Sequence, residues 1–183
     1  MSEPFFSIGH SNRSLEAFVE LLRANGITRL VDVRSVPRSR ANPQFNADSM
    51  PDSLAPYGIT YEHVRALGGL RAKDRSGLPP DLNGFWENPG FHNYADHALT
   101  PDFRAGLERL RELGREERCA YMCAEAVWWR CHRRIITDYL LAAGEDVFHL
   151  VSGDVPEAAR ITPEAVPGRG GLVYPARQGG LGL

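Results

Sequence analysis

The sequence predicts an α/β fold, a mostly parallel sheet of roughly five strands with helices on both faces. Short apolar runs alternate along the chain with segments of helical spacing, which is the pattern of strand–helix–strand units with right-handed crossovers. The run at residues 27–33 is nearly all apolar at its centre, as in a strand covered on both faces. The 183 residues, 43% of them hydrophobic, suffice for one sizeable core.

Five apolar runs predict the strands. Each run is short and is bounded by polar or turn-forming residues, which favours a strand over a buried helix. The run at residues 27–33 is almost wholly apolar at its centre and is the clearest example. The predicted strands are residues 5–8, 27–33, 59–64, 119–122 and 146–151.

Apolar residues at helical spacing predict the helices between these strands. The first helix ends at Asn25-Gly26 and the last at Gly144, since asparagine and glycine favour helix C-termini. Residues 65–93 contain many glycines and prolines, so they are predicted to form a long loop. The predicted helices are residues 14–24, a short helix within 48–57, 101–114 and 135–143.

One domain is the expectation for a chain of this length. Residues 1–151 are expected to form the α/β domain, and the Gly- and Pro-rich residues 152–183 a C-terminal extension with one short strand at Leu172–Tyr174. The chain lacks a run of about 18 apolar residues and an N-terminal signal pattern, so we expect a cytoplasmic protein without membrane association. Three cysteines without framework spacing fit a reducing compartment.

The net charge of −2 gives no global attraction to nucleic acid, so any anion binding must come from a local cluster. Such a cluster is expected where the carboxyl ends of parallel strands meet, at one edge of the sheet. The polar residues that follow the first strand are His10, Ser11, Asn12 and Arg13. Those that follow the second strand are Arg34, Arg38 and Arg40, and those after the fourth are Cys123, Glu125, Arg130, Cys131, His132 and Arg133.

The segment Met122–Arg134 is the most informative part of this set, because it joins a predicted strand to a predicted helix. The helix N-terminus favours an anion, and Cys123 beside it is expected to have a lowered pKa. Packing in the hydrophobic core is sufficient to explain a cysteine at position 131. Because adjacent residues of a helix point about 100° apart, only one of Cys131 and His132 is expected to face the site.

The leading hypothesis is a site for a phosphate-bearing or other anionic ligand, with catalysis left open. Cys123 would be the nucleophile or a metal ligand, and His10 or His132 the proton carrier, with Glu125 also available. The expected ligand-binding residues are Ser11, Asn12, Arg13, Arg34, Arg38, Arg40, Arg130 and Arg133.

Two alternatives from other functional classes stay open. The first is a nucleic-acid-binding or regulatory module, in which bases would stack on Tyr57, Tyr61, Phe85, Trp86 or Trp129. The second is a metal site built from His10, Cys123, Glu125 and His132, although no zinc-type cysteine spacing occurs. The sequence specifies neither a cofactor nor an oligomeric state.

Several of these motifs together resemble a known family. They are Gly9-His10-Ser11-Asn12-Arg13, Asp32-Val33-Arg34, Leu67-Gly68-Gly69, and Met122-Cys123-Ala124-Glu125 followed by Cys131-His132-Arg133. In these motifs the chain is similar to the bacterial family catalogued as Domain of Unknown Function 488. The resemblance covers about residues 5–151, and it implies the domain boundaries and the choice of site without implying a reaction.

Overall fold

A six-stranded sheet forms the centre of the protein. The computed structural model describes residues 2–152 and 155–177. The strands are β1 (Phe5–Gly9), β2 (Arg29–Asp32), β3 (Thr60–His63), β4 (Cys119–Cys123), β5 (Val147–Leu150) and β6 (Glu157–Ala158). Their order across the sheet is β3-β2-β4-β1-β5-β6; β1 to β5 run parallel and β6 runs antiparallel to β5. The predicted α/β fold with a mostly parallel sheet is confirmed.

Five α-helices surround the sheet. Ser14 and Thr100 cap two of them, because each side-chain oxygen accepts a backbone N–H of the first turn. Short 3₁₀ turns occur at Pro43–Phe45, Ala55–Tyr57, Arg65–Leu67 and Trp128–Arg130. The α-helices are α1 (Leu15–Ala24), α2 (Met50–Leu54), α3 (Pro89–His97), α4 (Pro101–Glu116) and α5 (Arg133–Ala142).

Helix α3 corrects the expectation of an irregular loop over residues 65–93, since it begins at Pro89. Proline at the first helical position loses no hydrogen bond, because that N–H has no partner within the helix. The side chain of Asn88 caps the helix by accepting the N–H groups of Gly90 and Phe91. Pro89-Gly90 therefore starts a helix here instead of interrupting one.

Two hydrophobic cores lie on opposite faces of the sheet. Side chains alternate between the faces along each strand, so Phe5 and Tyr121 enter one core and Phe6 and Met122 the other. Helices α3, α4 and α5 cover the first core, and α1 and α2 cover the second. By the same alternation Cys123 faces the side that carries α5, which brings its sulphur toward the start of that helix.

The chain beyond β5 packs back on the first core. Strands β7 (Val166–Gly168) and β8 (Gly171–Val173) form a small antiparallel pair, and Tyr174 directly after them is fully buried. The Tyr174 hydroxyl donates to Asp138 Oδ2 over 2.9 Å. Residues 153–154 and 178–183 of the predicted extension lie outside the described residues. None of the helices in the described chain is both long and apolar enough to cross a bilayer.

His149 on β5 is buried beneath the loop that follows β4. Its Nδ1 lies 3.0 Å from the Ser7 hydroxyl, and its ring stacks on Trp128 with centroids 4.2 Å apart. Burial, assisted by the charge of Arg133, lowers the pKa of His149 to about 3. The folded protein therefore keeps this imidazole neutral at pH values where the unfolded chain protonates it.

We predict that His149 makes the protein acid-labile. Its contribution to stability is fully present above pH 6.5 and is lost as the pH falls toward 3, by about 1.4 kcal/mol per pH unit for one group. His149→Asn should flatten the decline of the unfolding free energy over this range, measured by urea unfolding at several pH values. His92→Asn, at a partly exposed histidine, is the control, and an equal flattening there would contradict the assignment.

Candidate functional site

A cavity of about 380 Å³ opens at the carboxyl edge of the sheet. Its walls come from the loops after β2, β3 and β4 and from the start of α3, so the convergence expected from a parallel sheet is present. Six of the residues expected from the sequence line it: Arg34, Arg38, Cys123, Glu125, Arg130 and His132. Cys131, for which packing is the expectation from the sequence, also lines this cavity.

Backbone pairing between β1 and β4 fixes the base of the site. Gly9 pairs with Cys123, and beyond them His10 and Ser11 donate their N–H groups to the carbonyls of Cys123 and Ala124. A Cβ atom on Gly9 would lie 1.8 Å from the carbonyl oxygen of Glu125. Only glycine allows the chain after β4 to lie this close to β1.

Cys123 and Cys131 form a buried pair of free thiols. Their sulphur atoms are 2.7 Å apart, and the residues are 3% and 6% exposed. The expectation that only one of Cys131 and His132 faces the site is wrong, because α5 begins at Arg133 and Cys131 has an extended backbone. The side chains therefore do not follow helical geometry, and His132 Nδ1 lies 3.5 Å from Cys131 Sγ.

The guanidinium of Arg133 lies behind the thiol pair and is 1% exposed. Its Nε–H donates to Cys123 Sγ over 2.9 Å, and its other nitrogens donate to the Ser7 hydroxyl and the Glu125 carbonyl. The backbone N–H of Arg133 donates to Cys131 Sγ over 3.4 Å. Arg133 is therefore engaged inside the protein, where it supplies positive charge to the thiols.

The two thiols titrate as a coupled pair that holds one negative charge near neutral pH. Burial works to raise the pKa of Cys131, but the hydrogen bond from Cys123 and the charge and N–H groups of Arg133 outweigh it and bring this pKa to about 7. The expectation of a lowered pKa for Cys123 is wrong. Burial, together with the neighbouring Cys131, raises this pKa well above its usual value, and α5 begins only at Arg133. The two directions favour the thiolate on Cys131 and the remaining proton on Cys123.

His132 is oriented by the backbone. Its Nε2 lies 2.7 Å from the carbonyl oxygen of Val33, which can only accept, so Nε2 carries the proton and Nδ1 presents a lone pair to Cys131. Burial lowers the pKa of His132 and favours the neutral ring. Gly69 packs against this ring, and a Cβ there would lie 2.4 Å from Nδ1. The Val33 carbonyl, the His132 ring and the Cys131 sulphur therefore lie in one contact series.

A second buried network supports the cavity wall from the side of β2. Arg34 forms an ion pair with Asp32, with Nη2 and Oδ2 2.7 Å apart, and donates to the carbonyl of Phe45. His10 Nδ1 donates to the Ser11 carbonyl, so Nε2 is free to accept from Arg34 over 3.3 Å. His10 is stacked on Phe45 and does not line the cavity. Its contact with the site is through Arg34.

The other expected ligand-binding residues are distributed differently. Arg13 donates to the carbonyls of Gly9 and Val151, so its guanidinium holds backbone segments together. Ser11 adopts a left-handed backbone conformation (φ 49°) at the turn, and neither it nor Asn12 lines the cavity. Arg40 is exposed and also lies outside the lining. Arg38 and Arg130 are exposed at the rim, where Arg38 pairs with Asp48 over 2.6 Å.

The residues named in the two alternatives lie in different parts of the described structure, and Trp129, exposed next to Arg130, is the stacking candidate nearest this edge. Trp86 is buried and stacks on Phe91, and Tyr61 donates its hydroxyl proton to Asp32. Tyr57 lies by α1, at a different cavity. Within residues 2–152 and 155–177, no group of three or more His, Cys, Asp or Glu side chains is arranged to hold a metal ion.

We predict that Cys123→Ala raises the pKa of Cys131 toward the ordinary value of 9, because the variant loses the hydrogen bond that stabilises the thiolate. The thiolate population at pH 7 should fall by roughly five- to tenfold. A pH titration of thiolate ultraviolet absorbance measures the shift. Cys119→Ala, in the same core but remote from Arg133, is the control; an unchanged titration in Cys123→Ala would refute the coupling.

Comparison with known proteins gives one match. The family model described as Domain of unknown function DUF488 matches residues 14–140, a range that includes both thiols of the pair, His132 and Arg133. Searches of curated proteins and of solved structures gave no significant match. Because the family model matches well over half of the chain, the protein belongs to the family described as Domain of unknown function DUF488.

Proposed function

We propose that the protein is a thiolate-dependent enzyme that acts on a small phosphate-bearing or otherwise anionic molecule bound in the cavity. One observation carries the proposal. Cys131 lines the cavity, and its Sγ lies 3.5 Å from the unprotonated Nδ1 of His132 and 3.4 Å from the backbone N–H of Arg133. This arrangement of nucleophile, base and stabilising charge is typical of nucleophilic cysteine.

In the proposed reaction Cys131 is the nucleophile in place of Cys123, which the sequence favoured. The Cys131 thiolate attacks the electrophilic atom of the substrate, the bond to the leaving group breaks, and the leaving group takes a proton from water. His132 Nδ1 then accepts a proton from a second water molecule, which attacks the group bound to Cys131, releases the product and restores the thiolate. Glu125, exposed on the cavity wall, is the second group able to exchange a proton with the ligand.

Arg38 and Arg130 are the proposed anion-binding groups. Both guanidiniums are exposed at the rim, and the pairing of Arg38 with the exposed Asp48 is weak because solvent screens it, whereas Arg34 is held by the buried carboxylate of Asp32. Arginine suits this role because its planar group can donate two hydrogen bonds to a phosphate or carboxylate. A cytoplasmic, reducing setting is part of the proposal, since the reaction requires Cys131 as a free thiolate.

The proposal predicts that iodoacetamide alkylates Cys131 with an apparent pKa near 7. The rate should be measured from pH 5 to 10, with the modified residue identified by peptide mass spectrometry. Cys131→Ser should abolish the fast reaction. Cys119→Ser should leave it unchanged, because burial raises the pKa of Cys119. A rate that rises only near pH 9, as for an ordinary thiol, would refute the proposed nucleophile.

Anion selectivity gives an independent prediction. Iodoacetate carries a negative charge and iodoacetamide does not. The alkylation rate with iodoacetate divided by the rate with iodoacetamide therefore reports how strongly the rim attracts an anion. Arg38→Ala and Arg130→Ala should each lower this ratio by roughly two- to fivefold at low salt, and added salt should reduce the difference. Arg160→Ala, at an exposed arginine outside the cavity, is the matched control. Equal ratios in all four proteins would exclude rim guanidiniums as the anion site.

A further inference from the structure

Cys123 takes no covalent part in the reaction proposed above, although its sulphur is closer to Cys131 Sγ than either the Arg133 N–H or His132 Nδ1. The 2.7 Å separation of the two sulphurs is within about 0.7 Å of a disulfide bond. Cys123 and Cys131 are also both among the residues that line the cavity.

The connection between the two cysteines allows the bond to form locally. Cys123 ends β4, and Cys131 follows the 3₁₀ turn Trp128–Arg130. The intervening segment includes the exposed residues Ala124, Glu125, Trp129 and Arg130. We expect formation of the bond to move Cys131, which follows this segment, more than Cys123, which is held in strand β4.

We propose that Cys131 and Cys123 are a two-electron redox couple that reduces small anionic disulfides. The inference rests on the proposed function, because it takes the Cys131 thiolate as the attacking group. It adds the substrate class, a sulphur electrophile with acidic groups, and it gives Cys123 the role of the resolving thiol.

The reaction is balanced in two steps. First, the Cys131 thiolate attacks one sulphur of the substrate R–S–S–R, the S–S bond breaks, and R–S⁻ leaves while Cys131 becomes a mixed disulfide. The thiol proton of Cys123 then passes to R–S⁻, and the new Cys123 thiolate attacks Cys131 Sγ. The second R–S⁻ departs, so one substrate disulfide is reduced and one protein disulfide is formed. An external dithiol returns the protein pair to its reduced state.

The charges around the pair favour this order of events. Burial and the neighbouring Cys131 thiolate keep the proton on Cys123 in the resting protein. Formation of the mixed disulfide removes the negative charge of Cys131 but leaves the Arg133 guanidinium in place, tied to Ser7 and the Glu125 carbonyl. The Nε–H of Arg133, 2.9 Å from Cys123 Sγ, then stabilises the Cys123 thiolate.

The cavity fits a small substrate with apolar and acidic parts. Val36 and Leu70 line it and are 59% and 77% exposed, and Phe91 adds an aromatic surface. Arg38 and Arg130 lie at the same rim and favour carboxylates on the substrate. A volume of about 380 Å³ suits a small molecule better than a protein chain.

The test uses the reduced full-length protein with glutathione disulfide as an anionic probe and hydroxyethyl disulfide as a neutral one. Intact-mass and peptide spectrometry should show that the wild type ends with a Cys123–Cys131 disulfide. Cys123→Ser should stop at a stable mixed disulfide on Cys131, and Cys123→Ala serves if that variant folds poorly. Cys131→Ser should react at least tenfold more slowly, and Cys119→Ser should behave as the wild type.

Selectivity is measured as the ratio of rates for the anionic and neutral probes. Arg38→Ala and Arg130→Ala should lower the ratio roughly two- to fivefold, whereas Arg160→Ala should not change it. A wild type that stops at the mixed disulfide, or forms disulfides only between molecules, would overturn the redox inference. The redox inference would also be overturned if neither disulfide probe reacted while iodoacetamide alkylation still gave a pKa near 7 for Cys131. That outcome would leave the proposed nucleophile unchallenged. An ordinary pKa in that assay would overturn both proposals.

Discussion

The buried guanidinium of Arg133 is the constraint on which the site depends. Its side chain donates to a sulphur, a hydroxyl and a carbonyl, none of which is a carboxylate. A buried cation without a counter-charge costs several kcal/mol, so the protein must supply negative charge nearby. The thiol pair does so by holding one thiolate. Arg133 and the cysteines therefore stabilise each other's charged forms, and the electrostatics of the site follow from the packing of α5 on the sheet.

The parallel sheet makes this arrangement possible. Ser7 on β1 reaches Arg133 because β1 lies between β4 and β5, and His149 on β5 holds the Ser7 hydroxyl from the other side. Directly after β2, the carbonyl of Val33 fixes the ring of His132. Each catalytic candidate is thus oriented by a strand other than the one that precedes it in the chain. Glycine at position 69 leaves the space that the imidazole occupies.

Much of the fold could be predicted from the sequence, since apolar runs and helical spacing depend on local composition. The start of α3 could not be predicted, because proline and glycine occur both in loops and at helix N-termini. Only the capping hydrogen bonds of Asn88 distinguish the two cases here. The sheet edge that carries the site could be predicted from the parallel direction of the strands alone. The roles of individual arginines did not, because a long side chain such as Arg13 turns back onto carbonyls that distant residues provide. Packing in the core is confirmed for Cys131, but its position on the cavity could not be predicted, because its extended backbone is a tertiary effect.

The thiol pair also limits how its charge can be used. Two thiolates 2.7 Å apart beside one guanidinium would repel each other strongly, so the second proton stays on as long as the first thiolate persists. Any reaction that consumes the charge of Cys131 removes this repulsion and leaves Arg133 without its counter-ion. Ionisation of Cys123 best compensates the charge of Arg133, because the Cys123 sulphur is also in contact with that guanidinium. The same electrostatic constraint that selects one nucleophile in the resting state therefore favours the second one after the first has reacted.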